Sequence, residues 1–278
     1  GVKQGALFDE SGQLGKLLGM AEKYEEALSA LDSAHRLKPD HAGILVLFAA
    51  AALEVGELDK CATALAALEK RGLMRETMKI RAHLERKRGD WNALRRCAEE
   101  WLRGEPTCEE ARIALAHALG QQGYYDDAAA IYAPLCSGTA PAHHLAAMGR
   151  YRLGGRRFDD ARAWFDRARA RDPACAEAAY GLARLHQILG DPAAAEEWCR
   201  KTLRLDPRHA DAFGLLADTR QGPVADADIT AINAALAAPR ISNAEKVALL
   251  FAKGDFLHAA KRPDQAFDAW HAANELKS

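Results

Sequence analysis

The chain lacks most of the signals that announce chemistry. Its charges nearly cancel: 38 Lys and Arg against 39 Asp and Glu leave a formal net charge of −1. No global field therefore draws it to nucleic acid or to an anionic membrane. Aromatic residues make up only 7%, which leaves few of the stacking platforms that single-stranded nucleic acid uses. Apolar runs are short. None approaches the ~18 residues of a membrane span, and the longest, Ile44 to Leu53, reads as one helix buried on both sides. None of the six cysteines (Cys61, Cys97, Cys108, Cys136, Cys175 and Cys199) forms a C-x-x-C pair, so zinc spacing is absent. They read as free buried thiols of a reducing compartment, which makes the expected location cytoplasmic. There is no H-E-x-x-H. His143 and His144 are adjacent, so on a helix they point about 100° apart and cannot easily share one ion. Gly154-Gly155-Arg156-Arg157 lacks the G-x-x-x-x-G-K-[ST] spacing and reads as a turn between helices. Cys136 is expected in a loop, with no base beside it. These absences predict a chain that is not an enzyme, with no catalytic residue, no metal site, no cofactor and no membrane span. The beginning Gly-Val-Lys and an end at the close of a repeat read as a fragment of a longer protein.

What is present is a period. Hydrophobic residues make up 49% and are rich in Ala and Leu, which suits closely packed helices. Between Ala142 and Arg208, three pairs stand 34 residues apart: Gly149 with Ala183, Ala161 with Ala195, and Pro173 with Pro207. Extending that frame both ways gives units starting near Phe8, Ala42, Arg75, Glu109, Ala142, Ala176, Ala210 and Val247. The eighth position holds Gly15, Ala49, Ala82, Ala116, Gly149, Ala183, Ala217 and Gly254, always small, as two helices in close approach demand. The twentieth is Ala or Cys except at Leu94 and Ile229. Gly56, Gly89, Gly123 and Gly190 mark the end of the first helix of a unit, and Pro39, Pro106, Pro173 and Pro207 the end of the second. Two places depart. CSGTAPAHH, in the fourth unit, is looser, and the seventh unit (210–246) has the long connection RQGPVADAD before a helix over about Ala227 to Ala237.

A 34-residue period with small residues at two fixed places and a closing proline resembles the tetratricopeptide repeat (TPR). The resemblance implies an all-α fold, a right-handed α-solenoid of about eight helix-turn-helix units over 1–278, and a non-catalytic scaffold or adaptor that binds protein. From Asp226 to Ser278, Phe251, Gly254, Ala266, Phe267, Ala273 and Asn274 also resemble the repeat region of bacterial TPR-sulfotransferase fusion proteins. That likeness implies a bacterial protein and an alternative role, presenting substrate to a catalytic domain beyond Ser278.

In the repeat that the pattern resembles, position nine of helix A faces a concave groove. Here it holds Lys16, Ala50, His83, His117, Arg150, Arg184 and Asp218. Lys79, Arg86 and Lys87 share the helix face of His83. Lys79, His83, Lys87, His117, Arg150 and Arg184 are thus the candidate groove residues, a basic strip expected to take an acidic peptide or helix. The two-carboxylate clamp of some TPR proteins, with Lys at position five and Asn at position nine, finds no Asn at position nine in the first seven units. The third unit, basic and holding Trp91, leaves RNA binding as a further alternative. No regular pair of base-reading residues accompanies it.

Overall fold

The computed structural model describes residues 2–20, 23–220, 222–239 and 241–277, without the side chains of 2–10 and 74–76. Ser278, Arg240, Gln221 in the long connection, and the side chains of Phe8 and Arg75 lie outside the described residues. Among those described there are sixteen α-helices and no strand, the all-α solenoid class expected from the period. The chain divides into two compact units, 1–132 and 133–278, and the division falls next to the loose CSGTAPAHH stretch. In the first unit the helices are α1 (Val2–Met20), α2 (Tyr24–Leu37), α3 (Ala42–Val55), α4 (Leu58–Glu69), α5 (Met74–Arg88), α6 (Trp91–Gly104), α7 (Glu109–Gln121) and α8 (Tyr125–Tyr132). In the second, a 3-10 turn (Ala133–Cys136) precedes α9 (Ala142–Gly154), α10 (Phe158–Arg171), α11 (Ala176–Ile188), α12 (Pro192–Leu205), α13 (Ala210–Thr219), α14 (Asp226–Leu236), α15 (Asn243–Ala259) and α16 (Pro263–Lys277). Odd-numbered helices are the A helices of the repeats and even-numbered ones the B helices.

Local chemistry sets these limits. Gly89 (φ 70°) and Gly190 (φ 77°) turn the chain through the left-handed region that ends an A helix. The Asp that comes after each of them caps the B helix: Asp90 accepts from the Ala93 N–H and Asp191 from the Ala194 N–H. Pro39, Pro106, Pro173 and Pro207 each stand two residues beyond the end of a B helix. Two A helices are capped by histidine, His41 Nδ1 accepting from Ile44 N–H and His209 Nδ1 from Ala212 N–H. The first and last A helices begin earlier than the period places them, at Val2 rather than Phe8 and at Asn243 rather than Val247. For α15 the reason is a capping box, in which Ser242 and Glu245 satisfy each other's backbone N–H one turn upstream.

Position eight is where the hairpins close. Ala49, Ala116 and Ala183 are fully buried. Where that position is glycine, the residue sixteen places later lies against it. A Cβ on Gly15 would stand 2.5 Å from Leu31 Cγ, and one on Gly149 2.5 Å from Phe165 Cε1. One on Gly254 would overlap the indole of Trp270. Phe165 is held from two sides, because a Cβ on Gly181 of the next A helix would also overlap its ring. It is completely buried.

The seventh repeat breaks the scheme. α13 is short (10 residues), and α14 packs on α15 rather than along its own A helix. Ala217, its position-eight residue, is therefore only half-buried. Ile229, too large for a close hairpin, is buried within the cluster that also holds Leu216 and Leu249.

Gly149→Leu and Gly181→Leu should each destabilise the protein by overpacking, about 1–3 kcal/mol. Phe165→Ala should cost about 3–5 kcal/mol through the cavity it leaves. Thermal or urea unfolding checks all three, and unchanged midpoints would show that the two glycines do not seat this ring.

Candidate partner-binding surface

Lys79, His83, Lys87 and His117 lie in the first unit, and Arg150 and Arg184 in the second. Each stands on an A helix, but most have found partners inside the chain. Lys79 Nζ on α5 pairs with Glu110 Oε1 on α7 at 3.5 Å, with both side chains more than half exposed. Lys87 Nζ donates to the Leu53 carbonyl at 2.6 Å, so it caps the C-terminal end of α3. His117 packs edge-on against Trp91, with ring centroids 5.4 Å apart. Trp91 in turn flanks the cluster of Met78, Leu94 and Cys97. The indole is half-buried and packs against the chain's own core.

His83 does not carry the charge expected of it. Its pKa is lowered from 6.5, first by burial and then by the Arg86 and Lys79 cations on the same helix. At neutral pH the imidazole is uncharged. The positive character of α5 rests on Lys79, Arg86 and Lys87.

In the second unit, Arg150 Nη1 on α9 binds Glu177 Oε2 on α11 at 3.0 Å. The other oxygen, Glu177 Oε1, lies 3.9 Å from His209 Nε2, whose ring sits beside Tyr180, centroids 4.6 Å apart. Arg184 is exposed and forms no ion pair among the described residues. Further along, the sign changes. Asp218 on α13 and Asp255 on α15 occupy position nine, and the Asp218 carboxyl is raised by partial burial and then by the Asp255 charge. Asp255 accepts a hydrogen bond from Trp270 Nε1 at 3.1 Å.

Cys136, expected in a loop, ends the 3-10 turn, is buried, and donates weakly to the His144 carbonyl. Burial raises the thiol pKa to about 11 at Cys61, Cys97 and Cys136 and to about 12 at Cys199, and it also raises Cys175. These groups stay protonated at neutral pH, and the thiolate is the nucleophile. Arg156 occupies the left-handed region (φ 59°) in the turn between α9 and α10, the place expected for Gly154-Gly155-Arg156-Arg157. Among the described residues no three His, Cys, Asp or Glu side chains converge on a metal position, and no helix is long and apolar enough to cross a membrane.

Residues 146–218 match the family described as Tetratricopeptide repeat. The chain has the fold of a TPR protein. Among solved structures, one chain of the APC/C hetero-tetramer Cut9-Hcn1 is 16% identical at a TM-score of 0.53, over 93% of this chain and 54% of that one. This chain thus spans about half the length of that relative. Pseudomonas aeruginosa pilF is 15% identical at a TM-score of 0.57, over 78% of this chain and 99% of that one. At these identities the likeness is one of fold. No curated protein matches the sequence. In the C-terminal hairpin, Gly254, Ala266 and Ala273 are buried packing positions, whereas Phe267 and Asn274 are exposed.

The site chemistry makes two measurements informative. His83 has a folded pKa below its unfolded one. The unfolded chain therefore takes up the proton first, and the contribution of His83 to stability, complete above about pH 6.5, is lost as pH falls. Between about pH 7 and pH 5, wild type should lose more stability than His83→Gln. Identical pH dependence would assign the loss elsewhere. A thiol reagent such as Ellman's should label Cys108, the half-exposed thiol, first in native protein and reach the five buried ones only on unfolding. Rapid native labelling of Cys199 would contradict its burial.

Proposed function

We propose that the protein is a non-catalytic interaction scaffold whose A-helix faces hold a partner peptide or helix. One observation carries the reading. Within each unit, A helices pack directly beside the A helices of the next repeat (α1, α3, α5 and α7 in the first, α9, α11, α13 and α15 in the second). Their outer faces therefore form a floor of side chains on rigid elements, the geometry on which a helix or extended peptide docks. In the first unit, Lys79, His83, Lys87 and His117 line this floor, with Lys79 and Arg86 the cations that an acidic partner would meet. In the second, Arg150 and Arg184 do so, and Arg184 is the cation without an internal ion pair. Lys79 and Arg150 would exchange an internal carboxylate for one on the partner, so charge contributes selectivity more than affinity.

A photo-crosslinking residue at Arg184, on the proposed floor, and another at Glu197, exposed on a B helix, test the reading. A partner of acidic character should be captured from the first position and not from the second. Capture should weaken with added salt and in Arg184→Glu. Equal capture at both positions, or capture insensitive to Arg184→Glu, would remove the A-helix floor as the docking surface.

A further inference from the structure

The irregular seventh repeat leaves a cavity in the second unit. Because α14 is drawn away from α13 toward α15, a space of about 380 Å³ opens between α12, the start of α13 and α14. Its walls include Leu203, Phe213, Ala234 and Ala235, and Arg204 and Arg208 also line it. A volume at the low end of the range of ligand pockets suits a small molecule.

The arginines divide by role. Arg200 is committed: it binds Glu196 from its own helix and Asp228 across the cavity at 3.1 Å, which ties α12 to α14. Arg204 and Arg208 form no ion pair among the described residues. Arg208 does feel Glu245, whose pKa it helps to lower, but that carboxylate is held first by Ser242 in the capping box. Two guanidinium groups thus stand beside an apolar space. Guanidinium forks bind carboxylate oxygens well, and apolar walls reward an alkyl body.

We infer that this cavity binds a small amphiphile with one carboxylate head and a medium-length alkyl chain, the head held by Arg204 and Arg208 and the chain against Leu203 and Phe213. The site stands apart from the A-helix floor, since α12 and α14 are B helices. It exists because of the longer connection, which in sequence reads only as a break in the period.

Isothermal titration of the full chain with decanoate below its micellar concentration, beside decanol and acetate, tests the inference. Decanoate should bind saturably and at least about tenfold more tightly than decanol or acetate, the difference one charge-assisted pair makes. Arg204→Glu combined with Arg208→Glu changes exposed side chains and should leave thermal unfolding intact while bringing decanoate down to the level of decanol. Ala234→Phe, also at an exposed lining position, should abolish binding of both by filling the space. No saturable binding of decanoate to wild type, equal affinity for decanol, or undiminished binding to Ala234→Phe would each overturn the assignment. So would binding of a short peptide with an apolar C-terminal residue where decanoate does not bind.

Discussion

The structure depends on how closely two helices of one hairpin can approach. At position eight of each A helix there is room for a hydrogen or a methyl group, and the B helix delivers a side chain sixteen residues later. Where position eight is glycine, that side chain is Leu31, Phe165 or Trp270 and presses into the missing Cβ. Where it is alanine in a regular hairpin, the corresponding residues are Leu65, Ala98, Tyr132 and Cys199, all buried, whereas in the seventh repeat the residue sixteen after Ala217 is Asn233, which is exposed. Phe165 extends the constraint beyond its own hairpin, since its ring fills the space over Gly149 and over Gly181 of the next repeat. A close-packed interior leaves neither glycine free to grow. In such an array, stability is a sum of hairpin and neighbour terms, and Phe165 contributes to both.

The same regularity explains what happens to the surface charges. Each repeat displays its A-helix side chains next to those of its neighbours, so a cation on one repeat finds an anion or a carbonyl on the adjoining one. Lys79 with Glu110, Lys87 with the Leu53 carbonyl and Arg150 with Glu177 all obey this rule. A strip that is basic by residue count is largely neutralised by its own framework, and burial with neighbouring cations lowers the pKa of its His83 imidazole. Exposed pairs of this sort are weak and exchangeable, so they tune the choice of partner without locking the surface shut.

In the seventh repeat the close approach is abandoned. With Ile229 where a small residue is needed and a long connection before it, α14 cannot seat against α13 and packs on α15 instead. The cost is a half-buried Ala217, and the result is a cavity between α12, the start of α13 and α14.

Much of the fold was legible because it is written in local and periodic signals. The small residues at position eight, the Gly-Asp pairs at 89–90 and 190–191, and the prolines after four of the B helices act within a few residues of where they stand. Their spacing repeats at the 34-residue period. The all-α repeat architecture needs nothing else. The early start of α15 was not legible in the period because its signal, Ser242 with Glu245, lies upstream of the periodic frame. Nor were the histidine caps at His41 and His209, because histidine more often suggests metal or charge than an acceptor for a helix N–H. Tertiary structure decided the rest. Side-chain partners such as Lys87 with Leu53, a full repeat apart, depend on how successive hairpins rotate against one another. The neutral state of His83 depends on burial and on cations brought beside it, and the cavity beside Arg204 and Arg208 on where α14 finds its packing partner. Periodicity in one dimension specifies which residues recur, while ionisation and the shape of a cavity depend on distances between atoms far apart in the chain.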